Sequence, residues 1–288
     1  MFRACSVARQ KFLTLQVMSY ESLQLESLSA GYASGGRAGT VVRGFTATVS
    51  RGMFVCVLGC NGAGKSTLLR TVAGLQCPTD GRVLAGGRDI ASLSPNEIAR
   101  TVGVVLTDRR AFATQLTAGE LAALGRIPHT GFFGGLSEDD RRIVAQAMKA
   151  AGIEGFEKRR LVEMSDGERQ KAMIAKTLAQ QTPVILLDEP TAFLDFPSET
   201  GTFRLMRRLA HEEGKTVIAA THNIAAALQT ADCLWLLQCG ETPVVGTPRE
   251  LVAGRRLDMF LESAGVVFDR GKLSFYIEPY DNNDSMYR

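Results

Sequence analysis

Histidine and tryptophan are scarce in this chain, with three and one respectively among 288 residues. The six cysteines (Cys5, Cys56, Cys60, Cys77, Cys233 and Cys239) form no C-x-x-C pair, and no histidine is spaced to complete a zinc site. Neither a structural metal nor a disulfide framework is therefore indicated, and a reducing cytoplasm is the simplest setting. Long apolar runs are missing too. Runs such as Val184 to Leu187 and Val217 to Ala220 fall far short of the roughly 20 residues needed to cross a bilayer as a helix. A charge excess is also lacking: the formal net charge is +3, with no face-long Lys/Arg stripe, so no nucleic-acid partner is expected. Residues Met1 to Gln16 carry Arg3, Arg9 and Lys11 among apolar neighbours, which breaks any secretory h-region. Residues 1–18 are read as a loose extension, either an upstream start-site artefact or a functional arm.

What the chain does have is an ordinary globular composition, 45% hydrophobic and 22% charged, long enough to bury a large core. Within it, Gly59-Cys60-Asn61-Gly62-Ala63-Gly64-Lys65-Ser66-Thr67 fits the phosphate-loop pattern G-x-x-x-x-G-K-[ST] without a gap. The preceding run Met53 to Leu58 reads as a buried parallel strand. Ser66 to Ala73 reads as a helix closed by Gly74 in the left-handed position. In such a loop the glycines let consecutive backbone N–H groups curl around a β-phosphate at the positive end of the helix. Lys65 then reaches the β- and γ-phosphates, and Ser66 offers its hydroxyl to Mg²⁺. A nucleoside triphosphate is the expected ligand. A glycine-rich turn that binds nothing is the competing reading, and the strand-helix context argues against it.

A second chemical element is Val184-Ile185-Leu186-Leu187-Asp188-Glu189-Pro190. An apolar strand buried on both faces delivers Asp188 at its C-terminal edge, where it can hold Mg²⁺ through water, and Glu189 can orient or deprotonate the attacking water. Elsewhere, the blocks Leu23 to Leu28, Gly44 to Val49 and Gly81 to Ile90 suggest a small antiparallel sheet. A helix is expected after Ser137, with Ile143, Val144, Ala147, Met148 and Ala151 on one face and Gly152 as its stop. Strands at Pro183 to Leu187, Thr216 to Ala220 and Leu234 to Leu237 alternate with helical stretches, as in a parallel α/β sheet. A terminal hairpin is expected from Val266 to Phe268 and from Leu273 to Ile277.

A third element, Met164-Ser165-Asp166-Gly167-Glu168-Arg169-Gln170, completes an order of five motifs: phosphate loop, S-x-G-x-R-Q, Asp-Glu-Pro, the turn Ala192-Phe193-Leu194-Asp195, and Thr221-His222-Asn223. That order resembles the ATP-binding subunit of ATP-binding cassette (ABC) transporters, over about residues 23–251. The resemblance implies an α/β P-loop NTPase (RecA-like) core with an antiparallel β subdomain and an inserted α-helical subdomain at about 109–165. The cassette domain would span 19–255, and a C-terminal hairpin and tail 256–288.

It implies ATP with Mg²⁺ bound by residues Gly59 to Thr67, and a metal set of Ser66, Asp188 and Asp108. Glu189, His222 and Lys65 would serve catalysis, and Tyr32 would stack on adenine. Ser165, Asp166, Gly167 and Glu168 form the signature loop, acting in trans across a head-to-tail homodimer, and Asp195 sits in the turn that pairs the subunits. Two membrane permease subunits, and indirectly a substrate-binding protein, are the implied partners, with the chain peripheral on the cytoplasmic face of a bacterial inner membrane.

Two departures stand out: Asp108 falls where the family has Gln, and Asp166 and Glu168 replace Gly and Gln, with both carboxylates expected to point away from the phosphates. Cys60 inside the loop is read as filler rather than as a redox switch. The stretch from Glu120 to His129, with Leu136 to Asp140 and Gly246-Thr247-Pro248, resembles importers of ferric siderophores, haem and vitamin B12. Ile127, Phe132 and Phe133 either line a groove for a membrane-subunit helix or pack in the core. Uptake of an iron complex is the leading expectation; a vitamin B12 importer or a soluble ABC ATPase that serves no transporter are the alternatives.

Overall fold

The computed structural model describes residues 21–34, 37–106, 115–130, 135–262, 266–269 and 274–277. Two strands, β1 (Glu21–Ser34) and β2 (Arg37–Ser50), open the described chain and pair antiparallel. Both run longer than the blocks Leu23 to Leu28 and Gly44 to Val49, because register shifts at Leu25/Leu28, Leu28/Ala30 and Ala30/Gly31 let the pairing continue where the period-2 pattern breaks. Next come β3 (Phe54–Gly59), α1 (Lys65–Val72), β4 (Asp80–Ala85) and β5 (Arg88–Asp89). Ala73 and Gly74 (φ +70°) end α1 as the sequence suggests. Then α2 (Pro95–Thr101) leads into β6 (Val102–Val105).

Three helices that pack on one another follow: α3 (Ala118–Leu124), α4 (Glu138–Ala150) and α5 (Asp166–Ala179). Each begins with a reciprocal capping box, Thr117 with Glu120, Ser137 with Asp140, and Ser165 with Glu168, which satisfies two backbone donors per helix start. The rest is β7 (Val184–Asp188), α6 (Phe196–His211), β8 (Thr216–Ala220), α7 (Ile224–Thr230), β9 (Cys233–Leu237), β10 (Val244–Gly246), α8 (Pro248–Ala253), α9 (Arg256–Glu262), β11 (Val266–Asp269) and β12 (Ser274–Ile277).

The antiparallel sheet has the order β2-β1-β4-β5, and the six-stranded sheet β10-β9-β3-β8-β7-β6. β9, β3, β8, β7 and β6 are parallel neighbours, and β10 is antiparallel at the edge. Alternation along the parallel strands divides the interior in two. Val55, Val57, Val184, Leu186, Ile218 and Trp235 face α1 and the antiparallel sheet, with Trp235 edge-on to Phe45 at 5.0 Å. Phe54, Cys56, Leu58, Ile185, Leu187 and Val217 face the helices on the other side. Val144, Ala147, Met148 and Ala151 of the α4 face, together with Leu257 and Leu261 of α9, belong to that second core. β11 and β12 pair as the expected hairpin.

A buried ion pair ties these helices together. Arg126, with a side chain 7% exposed, donates from Nε to Asp140 Oδ1 at 2.8 Å, and from Nη1 to the Ala179 carbonyl at 2.7 Å and to Gln181 Oε1 at 3.0 Å. Asp140 also accepts from the Ser137 hydroxyl and backbone. That hydroxyl first, then Arg126 and the backbone, hold its carboxyl at about 2. Arg126→Met strips three acceptors of their donor and leaves the carboxylate inside without its cation. It is expected to lower the thermal midpoint by several degrees at neutral pH, read by circular dichroism. Because the Asp140 pKa is depressed on folding, its contribution is complete above the ordinary carboxyl range and is lost as pH falls toward 2, so the gap between variant and parent should close in acid.

Candidate nucleotide site at the C-terminal edge of the sheet

Register decides which side chains meet. Val57 of β3 pairs with Ala220 of β8, and Ala220 with Asp188 of β7, so three adjacent parallel strands end in one row. Beyond that row the Thr221 N–H donates to the Val57 carbonyl and the Glu189 N–H to the Ala220 carbonyl. The loop from Gly59, the Asp188-Glu189 pair and His222 thus emerge at one edge, where open α/β sheets bind ligands.

The loop is shaped by close approach as much as by charge. Gly62 and Gly64 have φ of +84° and +96°, a region that favours glycine. A Cβ on Gly59 would lie 2.8 Å from the Leu237 carbonyl oxygen, and one on Gly64 would meet the Val41 and Val42 methyls at 3.0 Å. The second contact presses the antiparallel sheet onto the loop. Cys60, Asn61 and Gly62 are exposed, Ala63 and Thr67 are buried, and Ser66 is half-buried in the first turn of α1.

Lys65 is 7% exposed. Its ammonium donates to the Gly59 carbonyl at 2.8 Å and the Cys60 carbonyl at 3.3 Å, and lies 3.3 Å from His222 Nε2 and 3.8 Å from Glu189 Oε1. Burial, the largest influence, lowers its pKa against the upward pull of Glu189 and Asp188. Glu189 Oε1 also lies 3.0 Å from His222 Nε2. Burial pushes the Glu189 carboxyl up to about 7; Lys65 opposes the rise, neighbouring Asp188 adds to it, and the His222 backbone N–H opposes it again. His222 is lowered by burial first and by Lys65 second, which keeps the imidazole neutral. Its Nε2 then accepts from the ammonium or donates to the carboxylate according to tautomer. Glu189 has φ +49°, a left-handed conformation for a non-glycine residue that is often found at functional sites. Asp188 is buried at 3% exposure at the end of β7, against which α1 packs. Among the described residues, no group of three His, Cys, Asp or Glu side chains could hold a metal ion alone.

A second surface carries the remaining residues. Ser165 is exposed at the N-cap of α5, where its Oγ accepts the Glu168 N–H at 3.3 Å. The Glu168 carboxylate turns back to accept the Ser165 N–H at 2.8 Å and pairs with Arg159 at 3.0 Å. Asp166 pairs with Arg169. Both carboxylates therefore lean on cations of their own chain. A Cβ at Gly167 would meet Leu194 Cδ2 at 3.0 Å and the Phe193 carbonyl oxygen at 3.2 Å, so the start of α5 packs on the turn that follows Glu189. Asp195 closes that turn as N-cap of α6, accepting the Ser198 N–H at 3.0 Å. Asn223 caps α7 through the Ala226 N–H and donates to Glu199 at 3.0 Å.

Tyr32 is described by its backbone alone, paired with Gly39 across the β1–β2 hairpin. Asp108, Phe132 and Phe133 lie outside the described residues. Ile127 is 61% exposed in a short 3₁₀ turn. Sequence reading groups Lys65, Glu189 and His222 through the motif order; the direct contacts of Lys65 and Glu189 with His222 Nε2 are what the structure adds.

Comparison with known proteins agrees with this arrangement. The profile of the ABC transporter family matches residues 42–192. The petrobactin import ATP-binding protein FpuC of Bacillus anthracis is 38% identical over 221 residues, covering 77% of this chain and 80% of the relative. The ferric enterobactin transport ATP-binding protein FepC of Escherichia coli is 35% identical over 240 residues, covering 83% and 87%. Among solved structures, a dimeric ATP-binding cassette in a post-hydrolysis state with ADP and phosphate superposes with a TM-score of 0.69 at 28% identity, covering 79% of this chain and 99% of that one. The fold is that of the ABC ATPases, a P-loop NTPase core of mixed α/β structure. With two thirds or more of each of these relatives matched and one sheet edge gathering the loop, the carboxylates and the histidine, the chain belongs to the ABC transporter family, among its ATP-binding proteins.

Proposed function

We propose that this chain is the ATP-hydrolysing subunit of an importer for an iron complex, a ferric siderophore or haem, acting as a homodimer beneath two permease subunits at the cytoplasmic face of the membrane. A substrate-binding protein would deliver the cargo. The observation that carries the chemistry is the Lys65–Glu189–His222 cluster at the mouth of a glycine-bent loop. The iron cargo rests on the relatives' names, petrobactin and ferric enterobactin. No described helix is long and apolar enough to cross a membrane, so the membrane partner is a separate chain in this reading.

Lys65 exchanges its carbonyl partners for phosphate oxygens, and the loop N–H groups at the start of α1 take the rest of the negative charge. The Ser66 hydroxyl and the Asp188 carboxylate are hard oxygen donors on packed elements, a set suited to Mg²⁺. When bound, that ion neutralises charge on the triphosphate. Glu189 accepts the proton of the attacking water, and neutral His222 orients the water and the terminal phosphate. Ser165 and the Gly167 N–H, at the positive end of the 14-residue α5, complete the pocket of a second copy. Asp195 sits on the turn between the copies, and Tyr32 stacks on adenine.

Since Glu189 is raised to about 7, the base is mostly protonated at pH 6 and ionised at pH 8. Turnover at saturating magnesium nucleotide should climb across that interval. A profile flat from pH 6 to 8 places the proton acceptor elsewhere. The transport reading is tested by tagging the full chain in cells and purifying it from detergent-solubilised membranes. A polytopic partner and lost growth on a ferric siderophore or haem after gene deletion support it. A pool bound to ribosomes or DNA, or a growth defect confined to vitamin B12, overturns it.

A further inference from the structure

β3 and β9 are parallel neighbours whose final register pair is Gly59 with Leu237. The chain leaves β3 directly through Cys60. It leaves β9 through Gln238 into a turn, where the Glu241 N–H donates to the Gln238 carbonyl at 3.3 Å and Gly240 has φ +80°. Cys239 stands on that turn. Paired strands lie about 4.8 Å apart, and a disulfide closes over α-carbon separations of about 4.4–6.8 Å. Both thiols are free and exposed, at the ends of neighbouring strands. They share the wall of a cavity of about 460 Å³ with Leu58, Thr221, His222 and Phe260.

The other described cysteines differ. Cys56 is sealed in the sheet, where burial drives its thiol far above the usual range, and burial pushes Cys233 up to about 11. Cys77 lies beyond the far end of α1 from the loop. For Cys60, register brings near a second thiol that sequence distance concealed.

We propose that Cys60 and Cys239 form a reversible redox pair, which a peroxide or a low-molecular-weight disulfide closes into an intramolecular bond, and that the loop so tied no longer accepts a nucleotide. The neighbouring Cys60 is the main influence holding the Cys239 thiol above its ordinary range. In the proposed sequence Cys60 takes the oxidant and Cys239 is the resolving sulfur. With hydrogen peroxide, the Cys60 thiolate takes one oxygen to become a sulfenic acid while the other leaves as water. Cys239 sulfur then displaces that oxygen as a second water, so two thiols and one peroxide give one disulfide and two waters, with two electrons passing from sulfur to oxygen. With a small disulfide, Cys60 first forms the mixed disulfide and frees one small thiol, and Cys239 then frees the other.

Exclusion of nucleotide follows from Lys65. Its ammonium is held by the Gly59 and Cys60 carbonyls and leaves them for phosphate in the proposed site, so the freed loop must settle around the ligand, and a bond from Cys60 to the β9 turn restrains it. This half rests on the proposed nucleotide site; the bridge does not.

The test uses the reduced full chain, treated with hydrogen peroxide or oxidised glutathione. The expected outcome is a monomer lighter by two hydrogens, with a peptide joining residues 60 and 239. Nucleotide affinity should fall about tenfold or more, the loss of one charge-assisted contact, and dithiothreitol should restore it. ATP added beforehand should protect, and Cys239→Ser should form no such bridge. Thiols that stay separately alkylable, links between chains, or a bridged protein that binds nucleotide as well as the reduced one each overturn the inference. A reduced protein that binds no nucleotide sinks the site assignment instead, while the bridge stays legible by mass.

Discussion

Glu189→Gln should lower ATP hydrolysis by about two to four orders of magnitude, the range for removing a positioned proton acceptor, while nucleotide binding persists. The amide keeps the size of the carboxylate and sits beside the same Lys65 and His222 nitrogens. It cannot take a proton from water. It also removes a buried carboxyl whose ionisation burial and Asp188 disfavour, so the variant carries less negative charge where a triphosphate arrives and should hold it longer. If Ser165 and Gly167 complete a second copy's pocket, slowed hydrolysis leaves the pair closed. The variant with magnesium ATP should then migrate as a dimer in size exclusion, whereas the parent turns over and returns to monomer. Normal hydrolysis by the variant would move the catalytic role to another group. A variant that retains ATP yet stays monomeric at high concentration would refute the shared pocket.

Lys65→Ala should abolish measurable nucleotide binding, a loss of about 100-fold or more if two charge-assisted contacts to phosphate disappear. The ammonium is already buried and stripped of most of its water, so part of the desolvation is complete before any ligand arrives. Removing it also frees the Gly59 and Cys60 carbonyls of their donor and takes from Glu189 the charge that restrains its pKa. Lys65→Arg restores charge without fit: the planar guanidinium replaces a compact ammonium lying 2.8–3.8 Å from its neighbours. It should recover little affinity. Titration calorimetry or a fluorescent nucleotide reads both variants, with circular dichroism confirming the fold. Binding unchanged in Lys65→Ala would remove the loop from the site.

Much of this is legible in the sequence because local chemistry and global register agree. The run before Gly59 and the run before Asp188 are apolar on both faces, and strands of that kind belong in a parallel sheet whose ends carry the polar residues. Ser137 and Gly152 bracket α4 as their capping chemistry requires. What stayed hidden depends on contacts distant in sequence. Nothing near Arg126 announces Asp140 and the Ala179 carbonyl as its partners. Nothing near Cys60 announces Cys239, whose approach follows from β9 lying beside β3 rather than from spacing. The bulges in β1 were hidden for a different reason: they interrupt the very alternation by which a strand is recognised.

The missing side chain at Gly167 has a mechanical consequence. With only 3.0 Å between its virtual Cβ and Leu194, the start of α5 and the turn running from Glu189 to Asp195 cannot slide independently. A displacement of the Glu189 turn is therefore felt at the start of α5, the helix end proposed above to serve a second copy. In a head-to-tail pair, such stiffness would let one pocket sense whether its twin is filled, and firing would become a joint decision rather than two private ones.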